Sequence, residues 1–279
     1  MAAEDRQGGV AVLTDDRVAE IRRKADDKRS QLGFGIYAPI GGKVFNCLDR
    51  QGILILQFPV DDIGLAAFIG RRDGRNVVFI NTALPRGKQH FAAAHELYHA
   101  WFDDDALSSW SSVCEIEYNG GSTLREMQAN RFAAEYLVPR CGMRDYLESL
   151  PAEFDSVDQM VLLSDYYEVP VKTIVLRLEE ESYISAKDKD RLLLDPAIYA
   201  ERRGELGLTG TMEEATYHRS VSPVFRAVMR SNRVGGRISS GKLEGLLDLL
   251  NSMPSDPNEG GSSPVSVGGT VHGGSRLCG

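Results

Sequence analysis

Cysteine is sparse in this chain of 279 residues: four, at positions 47, 114, 141 and 278, with no paired spacing. That excludes a disulfide framework and a cysteine-built metal finger, and points to free thiols in a reducing cytoplasm. Long apolar runs are lacking as well. None approaches the roughly 18 residues that a membrane-spanning helix needs, and the opening Met1-Ala2-Ala3-Glu4-Asp5-Arg6 is polar, unlike a signal peptide. Positive charge is in deficit, with 32 Lys and Arg against 40 Asp and Glu and a net charge of −8. A nucleic-acid binder needs a basic surface for phosphate, so no direct nucleic-acid partner is expected. Internal repeats are missing too. What remains is 42% hydrophobic and 26% charged, the balance of a soluble globular chain long enough for one sizeable domain and a smaller one.

Histidine is also rare, five in all, yet two of the five stand in His95-Glu96-Leu97-Tyr98-His99. The flanking Gln89-His90-Phe91-Ala92-Ala93-Ala94 and Ala100-Trp101-Phe102 carry a strong helix signal, with Phe91, Ala94, Tyr98 and Phe102 spaced to face a core. On a helix, residues four apart lie on one face with Cβ atoms about 5–6 Å apart. Both imidazoles can therefore reach one Zn²⁺ at about 2.0–2.1 Å. Glu96 is turned about 100° from His95. It stands beside the metal, placed to take a proton from a water that the metal acidifies.

A catalytic zinc takes three protein donors, so a third must lie elsewhere. The extended motif with Gly and His three and six residues after the second histidine is absent, since Phe102 and Asp105 occupy those places. Asp105 is a candidate donor, but no glycine turns the chain back to bring it there. Glu115, Glu117, Glu126 and Glu135 follow. Thr123 to Leu137 reads as a second helix, capped by Thr123 and stopped at Val138-Pro139, on which Glu126, Asn130, Ala133, Ala134 and Leu137 form one stripe. A carboxylate opening an otherwise small and apolar stripe is costly to bury without a partner, and a metal would be that partner. Glu135 lies about 900° further round, on the opposite side. Glu115 and Glu117 fall in a Ser- and Gly-rich stretch that reads as solvated. The third donor is accordingly assigned to Glu126. Asn130, one turn on, either orients a ligand or is satisfied by backbone.

Together, His90-Phe91-Ala92-Ala93-Ala94-His95-Glu96-Leu97-Tyr98-His99 and the later run from Glu126 to Pro139 resemble the ImmA/IrrE family. Its members pair an HExxH helix with a downstream E-x-x-A-N-x-F-A-A-x-x-L-x-P helix, and the likeness extends over about residues 15–180. The resemblance implies an intracellular zinc metalloendopeptidase of gluzincin-like type, with His95, His99 and Glu126 as metal ligands and Glu96 as general base. It further implies a protein substrate, a helix-turn-helix repressor of the XRE type, whose cleavage relieves repression in a stress response or in mobile-element immunity. Two imidazoles and a carboxylate also accept Mn²⁺. His90 stands where the family commonly has Arg, and Tyr98 where it commonly has Gly. Neither change removes a ligand, but Tyr98 bears on how closely another element packs on the helix. The rival reading is a non-cleaving module that captures a repressor or antitoxin; such a module would have no need of Glu96.

The expected fold is α+β. A zincin-like domain over residues 1–140 sets the HExxH helix beside a small antiparallel or mixed sheet, a helical region follows over 141–253, and a Gly/Ser/Pro-rich tail over 254–279 is expected to be disordered. Thr14 caps a helix running to about Leu32 with Val18, Ile21 and Ala25 inward. Lys43 to Arg50 reads as a short helix, Ile53 to Phe58 as a strand, and Leu65 to Arg71 with Asn76 to Asn81 as a hairpin around Gly74. One strand of that hairpin is expected to form the sheet edge that holds substrate extended across the metal. Residues 156–178 have a helix-turn-helix-like pattern. Over residues 155–181, however, seven acids face two bases, a surface that repels DNA, so the pair is expected to pack on the catalytic domain. Tyr98, Tyr118 and His218 are the donors that could reach an oxyanion, with none favoured.

Overall fold

The computed structural model describes residues 12–72, 74–103, 112–114, 123–208 and 212–251. Asp105, Glu115, Glu117, Tyr118 and the 254–279 tail, all named above, lie outside the described residues. Helix α1 (Asp15–Gln31) starts where the Thr14 hydroxyl accepts from the Arg17 amide, with Asp15 and Asp16 at its positive end and Lys28 and Arg29 at its negative end. Ile21 and Ala25 are fully buried on the inner face and Val18 is half-buried. Arg29 completes that face, also fully buried, and donates to the carbonyls of Gly35 (2.7 Å), Ala38 and Tyr136. Burial pushes its pKa down to about 10, so it stays charged at neutral pH.

A 3₁₀ turn (Gly41–Lys43) leads into α2 (Val44–Arg50) and strand β1 (Leu54–Phe58). Strands β2 (Ala67–Arg72) and β3 (Arg75–Asn81) form the hairpin, with Gly74 at a φ of +73° in its turn, a conformation that glycine adopts without strain. Helix α3 (Arg86–Phe102) carries the HExxH motif and packs on β2 and β3. Then come β4 (Ser112–Cys114), α4 (Leu124–Leu137) and α5 (Arg140–Ser149). Helices α6 (Ser156–Tyr167), α7 (Val171–Glu180), α8 (Ala186–Leu194) and α9 (Ala197–Glu205) follow. The described chain closes with β5 (Ser220–Val221), α10 (Pro223–Val234) and α11 (Ser240–Asn251).

The sheet is mixed, in the order β4-β2-β3-β1-β5, with β1 parallel to β3 and the other pairs antiparallel. This corrects one expectation. The hairpin is interior, because β4 pairs along β2 and β1 along β3, and among the described residues the edges belong to β4 and β5. The sheet's inward residues Ile55, Ile69, Val78 and Ile80 join Phe91, Ala92, Ala93 and Ala94 of α3 in one core. The alanines let helix and sheet approach closely. That core includes buried residues from Ile21 to Tyr199, on both sides of residue 140.

Helices α6 and α7 are joined by a three-residue connection, Glu168-Val169-Pro170. Gly87 of α3 meets this connection so closely that a Cβ there would lie 2.9 Å from the Pro170 nitrogen. Behind it, Glu135 of α4 is buried among Arg22 of α1, Arg131 of α4 and Arg177 of α7, with Arg177 bonding both carboxylate oxygens at 3.1 and 2.9 Å. Burial alone would raise the Glu135 pKa, but Arg177, Arg131 and Arg22 outweigh it and hold the group below its ordinary range. Removing one member of such a cluster leaves buried charges uncompensated. Glu135→Ala is expected to cost about 3–5 kcal/mol in urea unfolding; a loss under about 1 kcal/mol would show that the cluster does not fasten α7 to α4. Among the described residues, no helix is long and apolar enough to cross a membrane.

Candidate metal centre

Helices α3 and α4 pack against each other and bring together the three donors picked out in the sequence. His95 and His99 share a face of α3, and Glu126 sits in the first turn of α4, where the Thr123 cap starts the helix. One ligand atom from each lies within 4.8 Å of the others. The two Nε2 atoms are 3.1 Å apart, and the Glu126 carboxylate stands 3.0 Å from His95 Nε2 and 3.6 Å from His99 Nε2. Donors at about 2.0–2.1 Å from a tetrahedral zinc are separated by about 3.3 Å, which these distances bracket. His95 and His99 are buried, and Glu126 retains a quarter of its side-chain exposure, leaving an approach from that side.

The hydrogen bonds behind the rings test whether a cation fits. His95 Nδ1 lies 2.8 Å from Asn130 Oδ1, and His99 Nδ1 lies 2.9 Å from Asp103 Oδ2. Both partners are acceptors, so each Nδ1 carries the hydrogen and each Nε2 offers a lone pair to the centre. Two lone pairs and a carboxylate then face one another. A divalent cation satisfies all three at once, and this pattern of outer partners is the one that metal-binding histidines use.

Protonation follows the same geometry. Burial drives the His95 pKa down, against the pull of Glu126. For His99 burial acts the same way, but Glu126, Glu96 and Asp103 outweigh it and raise the pKa. Burial also opposes ionisation of Glu126, yet in the metal-free site the His95 and His99 rings, when protonated, turn their Nε2 hydrogens and positive charge on it and carry its pKa well below the ordinary carboxylate range. Glu96 behaves in the opposite way. It is fully buried, neither of its carboxylate oxygens has a hydrogen-bond partner among the described residues, and burial pushes its pKa up to about 8. The charges acting on it are those of His99 and Glu126, which places it at the same centre.

Two functional neighbours escaped the sequence reading. Asp103 orients His99 from one residue past the end of α3, and Arg125 of α4 grips Asp103 with Nε and Nη2, one nitrogen on each carboxylate oxygen. The signal was present as the i, i+4 spacing from His99 to Asp103. Asp103→Asn keeps the shape but removes the charge, and is expected to weaken metal affinity by about 10–100-fold. Competition against a chromophoric chelator checks this, and an unchanged affinity would free Asp103 from that role.

The other named residues have different occupations. Asn130 contacts His95 through its side chain, as given above. The Tyr98 hydroxyl donates to Gln128 Oε1 at 2.7 Å, and its ring packs on Phe102 and Phe132 in the seam between α3 and α4. This is how the helix accommodates a tyrosine at that place. His218 stands towards the opposite end of α3, its Nδ1 at 2.7 Å from Thr216 Oγ1 and its carbonyl accepting from Thr82. His90 is buried with Nδ1 at 2.9 Å from the Glu168 carbonyl, on the connection between α6 and α7.

Residues 48–179 match the Peptidase M78 family, described as the IrrE N-terminal-like domain, which bears out the resemblance carried by the two helices. Among solved structures, a Mycobacterium tuberculosis transcriptional regulator is similar at 19% identity and a TM-score of 0.38, over 60% of this chain and 47% of that one. The present chain thus spans about half the length of that neighbour. Curated proteins give no match.

Proposed function

We propose that this chain, whose residues 48–179 belong to the IrrE N-terminal-like domain family, is a zinc-dependent endopeptidase that cuts a protein substrate. The observation that carries the reading is Glu96, a fully buried carboxylate with both oxygens unpartnered among the described residues, beside three convergent metal donors. A purely structural site has no reason to keep such a group. His95, His99 and Glu126 hold the cation, Asn130 and Asp103 fix the two rings, and Arg125 fixes Asp103. When bound, the cation supplies Lewis acidity to water and to a peptide carbonyl, and Mn²⁺ can serve in place of zinc at this donor set. Glu96 takes one proton from the attacking water and delivers it to the amide nitrogen as the C–N bond breaks. Its pKa of about 8 falls once positive charge stands beside it, so the carboxylate is available as a base.

The substrate enters as an added strand on β4, an edge strand of the sheet among the described residues, which lies in the chain between the metal-bearing helices α3 and α4. The resemblance supplies the substrate class, a helix-turn-helix repressor of the XRE type acted on in the cytoplasm. The helices beyond residue 140 serve as support, fastened through Glu135 and Arg177. Incubating the zinc-loaded protein with a repressor encoded beside its gene, and reading the products by mass spectrometry, tests the assignment. Discrete fragments that disappear with Glu96→Gln support it. Complex formation without any fragment would replace it with a binding module.

A further inference from the structure

Between Ala215 and Leu243 the chain has no Asp or Glu, yet it carries Arg219, Arg226, Arg230, Arg233, Arg237 and Lys242. With a net charge of −8 for the whole, the rest of the chain is left at −14. Arg226, Arg230 and Arg233 follow at i, i+4 and i+7 on α10, so they share one side over about 10 Å of helix axis. Arg237 comes just after the helix, where its amide bonds back to the Asn232 carbonyl at 2.8 Å. Arg230, Arg233 and Arg237 are exposed and Arg226 is half-buried.

No carboxylate among the described residues pairs with these four. The side-chain partners of Arg233 and Arg237 are the neutral Ser240 and Asn232. Several arginines elsewhere in the fold are held in ion pairs, as with Arg131, Arg177, Arg202 and Arg203. A cation in the last turn of a helix suits the helix dipole, which accounts for Arg233 but not for the row. Like charges one turn apart repel. Their alignment therefore favours a polyanion as partner.

We infer that α10 and the turn after it form a docking surface for the phosphate backbone of duplex DNA. Guanidinium groups match phosphate with paired N–H donors, and a duplex presents one charge per about 1.7 Å of axis, about six along this stripe. A membrane would require the apolar side of α10, but Phe225, Val228 and Met229 are half-buried or buried in a helix that packs on β1 and α11. A protein partner would call for an apolar or aromatic anchor, and among the described residues beside the stripe only Val234 is large, apolar and exposed. The acidic total of the chain hides this segment from a reading of composition.

Fluorescence anisotropy of a labelled duplex of about 20 base pairs, titrated with the full chain at several salt concentrations, tests the proposal. Four phosphate contacts predict a slope of log affinity against log salt of about −3 to −4, close to a 100-fold loss between about 50 and 200 mM salt. The variant with Arg226→Gln, Arg230→Gln, Arg233→Gln and Arg237→Gln should lose at least about tenfold in affinity at low salt and most of the slope, with an unchanged circular dichroism spectrum. Arg230→Glu alone should reproduce part of the loss if the fourfold variant does not fold. Absence of wild-type binding at about 50 mM salt would overturn the proposal, as would full affinity in the variants. Stronger retention on phosphatidylserine vesicles or on polyglutamate than on the duplex would also overturn it.

Discussion

Glu96→Gln is expected to lower the cleavage rate by about 10²–10⁴-fold while leaving the bound metal in place. The magnitude is that of removing a positioned proton acceptor. The amide would keep the volume and hydrogen-bonding reach of the side chain but could accept no proton, and the three ligands are untouched. The same change has an opposite effect on the metal-free fold. Burial disfavours the charged form of Glu96 and raises its folded pKa from an ordinary 4.5 to about 8. A raised folded pKa means that the group's contribution to stability is complete below about pH 4.5 and is lost as pH rises through about 8. Metal-free wild type should therefore weaken over that window, whereas metal-free Glu96→Gln should not, and at pH 8 the inactive variant should melt higher. A variant that cleaves at the wild-type rate would remove Glu96 from the chemistry, and a pH dependence of stability identical to wild type would deny its burial as a charged group.

The second large effect is loss of the metal itself. His95→Ala or Glu126→Ala removes one of three donors, a heavier loss than the about 10–100-fold that an outer partner is worth. Both should strip the metal during ordinary dialysis and reduce cleavage to background. Stability gives an independent reading: metal at 1,000 times its dissociation constant adds about 4 kcal/mol to a fold that binds it natively. Wild type should show this gain in a thermal melt, and neither variant should. If Glu126→Ala retained one equivalent of metal by elemental analysis, the third donor would be a different residue.

The legible part of the molecule was the part encoded by spacing along one helix. His95, Glu96 and His99 follow from a single turn of α3, and Glu126 with Asn130 from a single turn of α4, so periodicity alone placed them. The matched hairpin and the Thr14 and Thr123 caps were equally local. What escaped depends on pairing across the fold. Arg29, Glu135 and Arg177 read as surface charges by type, and only the assembled helices show that they are buried against carbonyls and one another. The β2–β3 hairpin was expected at an edge because a strand's own residues do not say which strands flank it: the sheet is extended by β4 on one side and by β1 with the two-residue β5 on the other. Arg125 could not be linked to Asp103 without knowing that α4 begins beside the end of α3.

The central claim is that His95, His99 and Glu126 share one cation. Crystals grown with zinc, with diffraction recorded just above and just below the zinc absorption edge, measure it most directly. The account predicts a single anomalous peak at about 2.0–2.2 Å from both Nε2 atoms and from a Glu126 oxygen. A peak coordinated by other residues, or none between the two imidazoles at full zinc loading, would contradict it.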